Sequence, residues 1–196
     1  MYKKFKTMNI NELIKNRRAT PPRFMSKEKI PEETIRQLLE NANWAPNHKK
    51  TEPWRFKVYM ENAKDKLAND IHKLLDEKIK QGANINPQKT EKLRENIKRA
   101  PVVISIAMQR DAAKRLPEWE EIAAVSMAVQ NMWLTATETG LGAFWASPDF
   151  LPLLHDILEI QPGQKAMGFF YLGNVAMDYP SPGRGTIDSK VDWKVN

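Results

Sequence analysis

The sequence contains no cysteine. That excludes disulfides, thiol catalysis, iron–sulfur clusters and thiolate-bound zinc. Histidine is scarce as well. His48, His72 and His155 are the whole complement, and their wide spacing is no metal-ligand pattern. No apolar run approaches the roughly 18–20 residues needed to cross a bilayer. The stretch Met1-Tyr2-Lys3-Lys4-Phe5-Lys6 is basic but lacks the apolar segment of a signal peptide, which points to a cytoplasmic protein with no membrane partner. A Gly-x-Gly-x-x-Gly fingerprint is missing too, so a Rossmann nucleotide site has no support. Any redox chemistry would have to come from a bound organic cofactor.

What is present fits one globular domain spanning residues 1–196, large enough to bury a core unaided. Apolar residues make up 41% and charged residues 28%, ordinary values for such a domain. The net charge is 31 − 24 = +7, which favours anionic partners. Nucleic acid and a phosphorylated cofactor both qualify, and charge alone does not choose. Much of the excess lies in Ala63–Lys80 and Lys89–Arg99, which read as solvated helix faces. A nucleic-acid module is disfavoured, because neither an aromatic–basic platform nor a recognition-helix signature is found.

Periodicity predicts helices divided by strands. Asn9, with Glu12 three residues on, opens a first helix, which Pro21-Pro22 must stop. Pro31 suits a first helical position, and Ile35, Leu38, Leu39 and Ala42 form the next stripe. Trp54–Met60 reads as a strand. Leu67, Ile71, Leu74, Leu75 and Ile79 mark a long amphipathic helix ended by Gly82. Pro87–Arg99 predicts a mostly polar helix. Val102–Met108 predicts a buried strand. Pro117–Thr139 is apolar nearly all round, which predicts a central, buried helix stopped by Gly140-Leu141-Gly142. A short strand at Ala143–Ala146, a helix after Pro148 and a last strand at Met167–Leu172 follow. The tail after Asp178 is rich in Pro and Gly. Helices around one modest sheet make an α+β or three-layer fold.

Three segments concentrate polar chemistry beside loop signals. Arg17-Arg18-Ala19-Thr20 could clamp a phosphate bidentately, or simply set cations at a helix C-terminus. Trp44–Trp54 packs aromatics, amides, His48 and two lysines between two prolines. Such a loop suits a planar, polar-edged ligand, and it equally suits ordinary solvent exposure. Gly140–Asp149 offers close backbone approach and amides near an aromatic, or merely a strand and turn around a core tryptophan.

In this order the three segments resemble the nitroreductase family. The resemblance rests on Arg17-Arg18-Ala19-Thr20, on Ala45-Pro46-Asn47-His48-Lys49-Lys50-Thr51-Glu52-Pro53-Trp54-Arg55-Phe56, and on Gly140-Leu141-Gly142-Ala143-Phe144-Trp145-Ala146-Ser147. It runs from about Asn9 to Gly173, includes Trp119-Glu120, and is nearest the small, minimal members. It implies an α+β fold with a central, mostly antiparallel sheet flanked by helices. It also implies an interlocked homodimer with FMN in the interface. Arg17, Arg18, Ala19 and Thr20 would hold the phosphate, ribityl and pyrimidine side. Pro46, Asn47 and His48 would reach the same flavin from the other subunit. Trp145, Ala146 and Ser147 would line the isoalloxazine, and Arg184 would add a basic group to the phosphate. NADH or NADPH would be the reductant, and a nitroaromatic, quinone or similar electron-poor small molecule the acceptor. A flavin-binding store or sensor with little turnover is the alternative. Two positions depart from the broader pattern. Glu52 stands where glutamine is common, and Lys50 where larger members carry an asparagine.

Overall fold

The structure, a computed structural model, describes residues 9–177 and 183–195. The basic Met1–Lys6 stretch and the onset of the tail at Asp178 lie outside the described residues. Four strands form one sheet: β1 (Trp54–Met60), β2 (Val102–Gln109), β3 (Leu141–Ala146) and β4 (Gln164–Asn174). Their order is β1-β2-β4-β3, and every neighbouring pair is antiparallel.

Helices cover both faces, so the central strands are apolar on both sides. Along β2, Val102, Ile104, Ile106 and Met108 face one core, shared with Phe170 and Leu172 of β4. That core is roofed by α2 (Glu32–Asn43) and α5 (Glu118–Glu138). Val103, Phe169 and Tyr171 face the other core, roofed by α3 (Glu61–Lys80) and α4 (Pro87–Arg99). This alternation is the strand's two-residue period expressed between two layers, and it explains why β2 reads as an apolar run broken only by the buried Ser105.

One irregularity shapes the sheet. Ile106 pairs with Gly168 and Ala107 with Ala166, which leaves Met167 as an extra residue on β4. Gly168 has φ +126°, a backbone state side chains rarely adopt. The displaced Met167 carbonyl accepts the Trp145 indole N–H at 3.1 Å. The bulge thus anchors the end of β3.

The first helix, α1 (Ile10–Asn16), opens on the expected capping box, with Asn9 and Glu12 bonded reciprocally. The polar helix over 87–99 is regular and seats Thr90, Leu93 and Ile97 in the second core.

Three expectations need correction. Pro31 and Pro117 are N-caps in extended geometry, and the helices begin one residue later. The segment after Pro148 is a short 3-10 turn, Leu151–Leu154, whose start has no capping side chain. Finally, α5 buries one face only. Ala124, Val125, Ala128, Val129, Met132 and Ala136 are inside, whereas Trp119 and Met127 are exposed.

Candidate functional site

The arginine segment leaves α1 and runs along the open edge of β3. Ala19 bridges to Ala143 in parallel fashion, and the Thr20 amide donates to the Ala143 carbonyl at 2.8 Å. Thr20 is buried, and its methyl lies where a Cβ on Gly142 would sit, at 2.9 Å. A glycine is required there because the arginine segment packs against it. The Ala143 carbonyl points away from β4. By the alternation of strand bonding, the backbone of Trp145 presents its polar groups to the same outer edge, about 7 Å farther along. Arg17–Thr20 and Trp145–Ser147 therefore form one continuous edge, with Trp145 half-buried and Ser147 exposed.

Trp133 of α5 organises the charged end of this edge. The Arg17 guanidinium lies 4.7 Å from the centre of its ring. The same indole N–H donates to the Arg18 carbonyl at 2.9 Å. Its ring meets Phe170 edge-on at 5.7 Å, which fixes it against the core. Burial lowers the Arg17 pKa, and the nearby charges of Arg184 and Arg18 lower it further. Arg184 is thus near enough for its charge to act on Arg17. Arg18 donates to the carbonyls of Lys15 and Arg17. Among the described residues no carboxylate pairs with Arg17, Arg18 or Arg184. Arg17 thus has two like-charged neighbours, Arg18 and Arg184, and Arg18 is turned back onto the carbonyls that end α1.

The second group of expected residues lies elsewhere. Pro46 and His48 are exposed, and Asn47 is half-buried. The Asn47 amide oxygen accepts the Glu52 backbone N–H at 3.1 Å. His48 Nδ1 is 2.7 Å from Glu120 Oε2, at the start of α5. Trp133 and Glu120 are thirteen positions apart on that helix, or about 20 Å at 1.5 Å per residue. One chain therefore separates the two groups instead of gathering them around one small ligand.

The start of α5 is itself firmly held. Glu121 is fully buried, pairs with Arg110 and accepts the Asp111 amide at 2.8 Å. Arg115 donates to Asp111 through side chain and backbone, holding the Asp111 carboxyl down at about 2. Sequence reasoning missed Trp133 and the pairing of Glu120 with His48. Trp133 offered no signal among the other apolar residues of α5. No metal-binding group of His, Asp and Glu occurs among the described residues, and no described helix is long and apolar enough to cross a membrane.

Comparison with known proteins identifies the fold and the family. Residues 14–174 match the model of the nitroreductase family. The chain is 32% identical over 166 residues to a Bacillus subtilis protein named Putative NAD(P)H nitroreductase YfhC, covering 84% of this chain and 83% of that one. A nitroreductase-like family protein from Bacillus cereus superposes with a TM-score of 0.80 at 26% identity, over 96% of this chain and 97% of the other. The FMN-dependent nitroreductase NfnB from Mycobacterium smegmatis, solved in complex with NADPH, superposes with a TM-score of 0.74 at 17% identity, over 94% and 97% of the two chains.

Proposed function

The chain belongs to the nitroreductase family, and on that footing we propose that it is a cytoplasmic, FMN-dependent NAD(P)H oxidoreductase acting as a homodimer. The observation that carries the cofactor is the cluster of Arg17, Arg18 and Arg184 without a carboxylate, beside the open edge of β3. The cluster suits the phosphate. Ala19 and Thr20 suit the ribityl and pyrimidine side, and the Trp145–Ser147 edge suits the isoalloxazine. Bound FMN would supply hydride chemistry that none of these side chains can perform. NADH or NADPH would give up its hydride and leave. A nitroaromatic, quinone or similar electron-poor acceptor would then take its place, in ping-pong order.

The homodimer explains two features at once. Pro46, Asn47 and His48 stand about 20 Å from Arg17 along α5, so they suit the flavin of the opposite subunit. Apolar residues also lie exposed along α1 and α5. Ile10, Leu13, Trp44 and Leu134 line a groove of about 440 Å³, and Trp44 is 78% exposed. Monomers seldom leave such surface in water.

The absorbance spectrum and elution volume of the purified protein test this reading. Flavin bands and a dimeric volume are expected. Met127→Glu on the exposed face of α5 should shift elution toward the monomer and release flavin together. Colourless protein that binds no added FMN would refute the proposal. Stopped-flow mixing separates an enzyme from a flavin store. An enzyme is reduced rapidly by NADH or NADPH and reoxidised by a quinone, whereas a store is not.

A further inference from the structure

His48 is held more firmly than an exposed loop histidine needs to be. Its Nδ1 is 2.7 Å from Glu120 Oε2, although the His48 side chain is 58% exposed. The loop beneath it is clamped from several sides. Asn47 Oδ1 accepts the Glu52 amide at 3.1 Å, and Lys49 Nζ donates to the Arg115 carbonyl at 3.1 Å. Lys49, Lys50 and Glu52 all take positive φ, at 52°, 53° and 42°. Side chains rarely adopt that backbone state, and it persists where surrounding contacts impose it. Glu120 lies in the first turn of α5, which is anchored by the next residue. Its neighbour Glu121 is locked to Arg110 and to the Asp111 amide.

A carboxylate can only accept a hydrogen bond, so Nδ1 carries the hydrogen. Nε2 is then the working end of the ring, and no described residue bonds it. The charged group that contacts the ring is Glu120 from α5; Lys49 and Lys50 follow His48 on its own loop, and Lys49 reaches the carbonyl of Arg115 in the connection between β2 and α5. The Arg115 guanidinium is itself engaged by Asp111.

The geometry points to a proton-donating role for His48, positioned by Glu120, in the half-reaction that reduces the acceptor. The inference rests on the flavoenzyme reading above. NAD(P)H delivers a hydride and needs no proton donor. An acceptor that takes up a hydride gains two electrons and one hydrogen nucleus, and it is left one proton short. The imidazolium Nε2–H bond breaks, the proton joins the anionic oxygen of the acceptor, and the neutral ring keeps its Nδ1–H on Glu120. Solvent returns the lost proton through the exposed edge of the ring. Glu120 touches no reactant in this scheme and acts only through His48.

The test separates the two half-reactions in protein saturated with FMN. His48→Gln should slow reoxidation by a benzoquinone about 100-fold more than it slows reduction by NAD(P)H. The wild-type reoxidation rate should fall as pH rises, and that descending limb should be absent from the variant. Glu120→Ala should show the same asymmetry, and Glu120→Asp should recover part of the rate. A second readout needs no cofactor. In the apoprotein, ¹⁵N NMR should find neutral His48 protonated at Nδ1, and Glu120→Ala should shift the hydrogen toward Nε2. Equal reoxidation in wild type and His48→Gln would overturn the proton role and leave the flavoenzyme reading intact. Failure to bind FMN would overturn that reading, with the tautomer measurement still testing the dyad. An Nε2–H tautomer in the wild-type apoprotein would overturn the positioning by Glu120.

Discussion

The Arg17 guanidinium lies 4.7 Å from the centre of the Trp133 ring, and the same indole donates its N–H to the carbonyl of Arg18. One side chain from the core-facing helix thus holds both members of the arginine pair. Trp133→Phe keeps an aromatic face but removes the N–H. The lost hydrogen bond and the weaker cation–π contact together amount to about 1–2 kcal/mol. The expected result is a roughly 10-fold loss of FMN affinity, read by fluorescence titration, with riboflavin affinity little changed. Equal weakening of both ligands would show that Trp133 does not act at the phosphate.

Gly168 is the least replaceable residue near the site. A Cβ there would lie 2.3 Å from the Ala146 carbonyl oxygen and 2.9 Å from the Trp145 indole nitrogen, at a φ of +126°. Backbone at that distance cannot yield without moving the end of β3. Gly168→Ala should cost about 3 kcal/mol, from the forced φ and the displaced strand together. Denaturant unfolding would measure the loss, and flavin retention should fall in parallel. A variant within 1 kcal/mol of wild type would mean that the bulge reforms elsewhere.

The legibility of the sequence follows from where each signal is written. The two-residue and 3.6-residue periods were readable because burial alternates along β2 and along α3, so the layers could be placed from residue type. The boundary of the segment after Pro148 was not, because Leu153, Leu154 and Ile157 satisfy a helical stripe whether or not the backbone continues. The face exposed by α5 was hidden for a different reason. A helix greasy all round looks the same in sequence whether its second face meets its own chain or another one. For the site, the Arg17–Thr20 and Trp145–Ser147 segments lie together through the Ala19–Ala143 bridge, a long-range pairing that no local pattern encodes. Only the resemblance put them in one place.

The Asp111–Arg115 pair gives a pH prediction with a definite sign. Arg115 holds the Asp111 carboxyl at about 2, below the usual aspartate value of roughly 3.9. A carboxyl whose pKa is depressed by folding stabilises the fold fully above its unfolded pKa. The contribution is lost as pH falls through the folded value. The affected window therefore runs from about pH 4 down to about 2. Asp111→Asn should reduce the slope of Tm against pH in that window and leave the slope near pH 7 unchanged. An unchanged acid slope would place the acid sensitivity in other carboxylates. Because Asp111 lies beside the Glu121 anchor, the wild-type acid transition should also disturb the start of α5.

Lys50 bears on the energetics of the cofactor in the proposed reading. It is exposed, takes a φ of 53°, and sits two residues past His48 on the loop assigned to the partner's flavin. A cation near the pyrimidine end stabilises negative charge on the reduced flavin, by the same rule that lowers the pKa of an acid beside a cation. At a partly solvated distance the interaction is on the order of 1 kcal/mol, or about 20 mV for a two-electron couple. Lys50→Met should therefore make the flavin midpoint more negative by about that amount, and added salt should shrink the difference. Lys49→Met is the informative control. Its ammonium is held by the Arg115 carbonyl, so its removal should loosen the loop and lower flavin affinity more than it moves the potential. An unshifted potential in Lys50→Met would leave that lysine with no electrostatic role at the flavin.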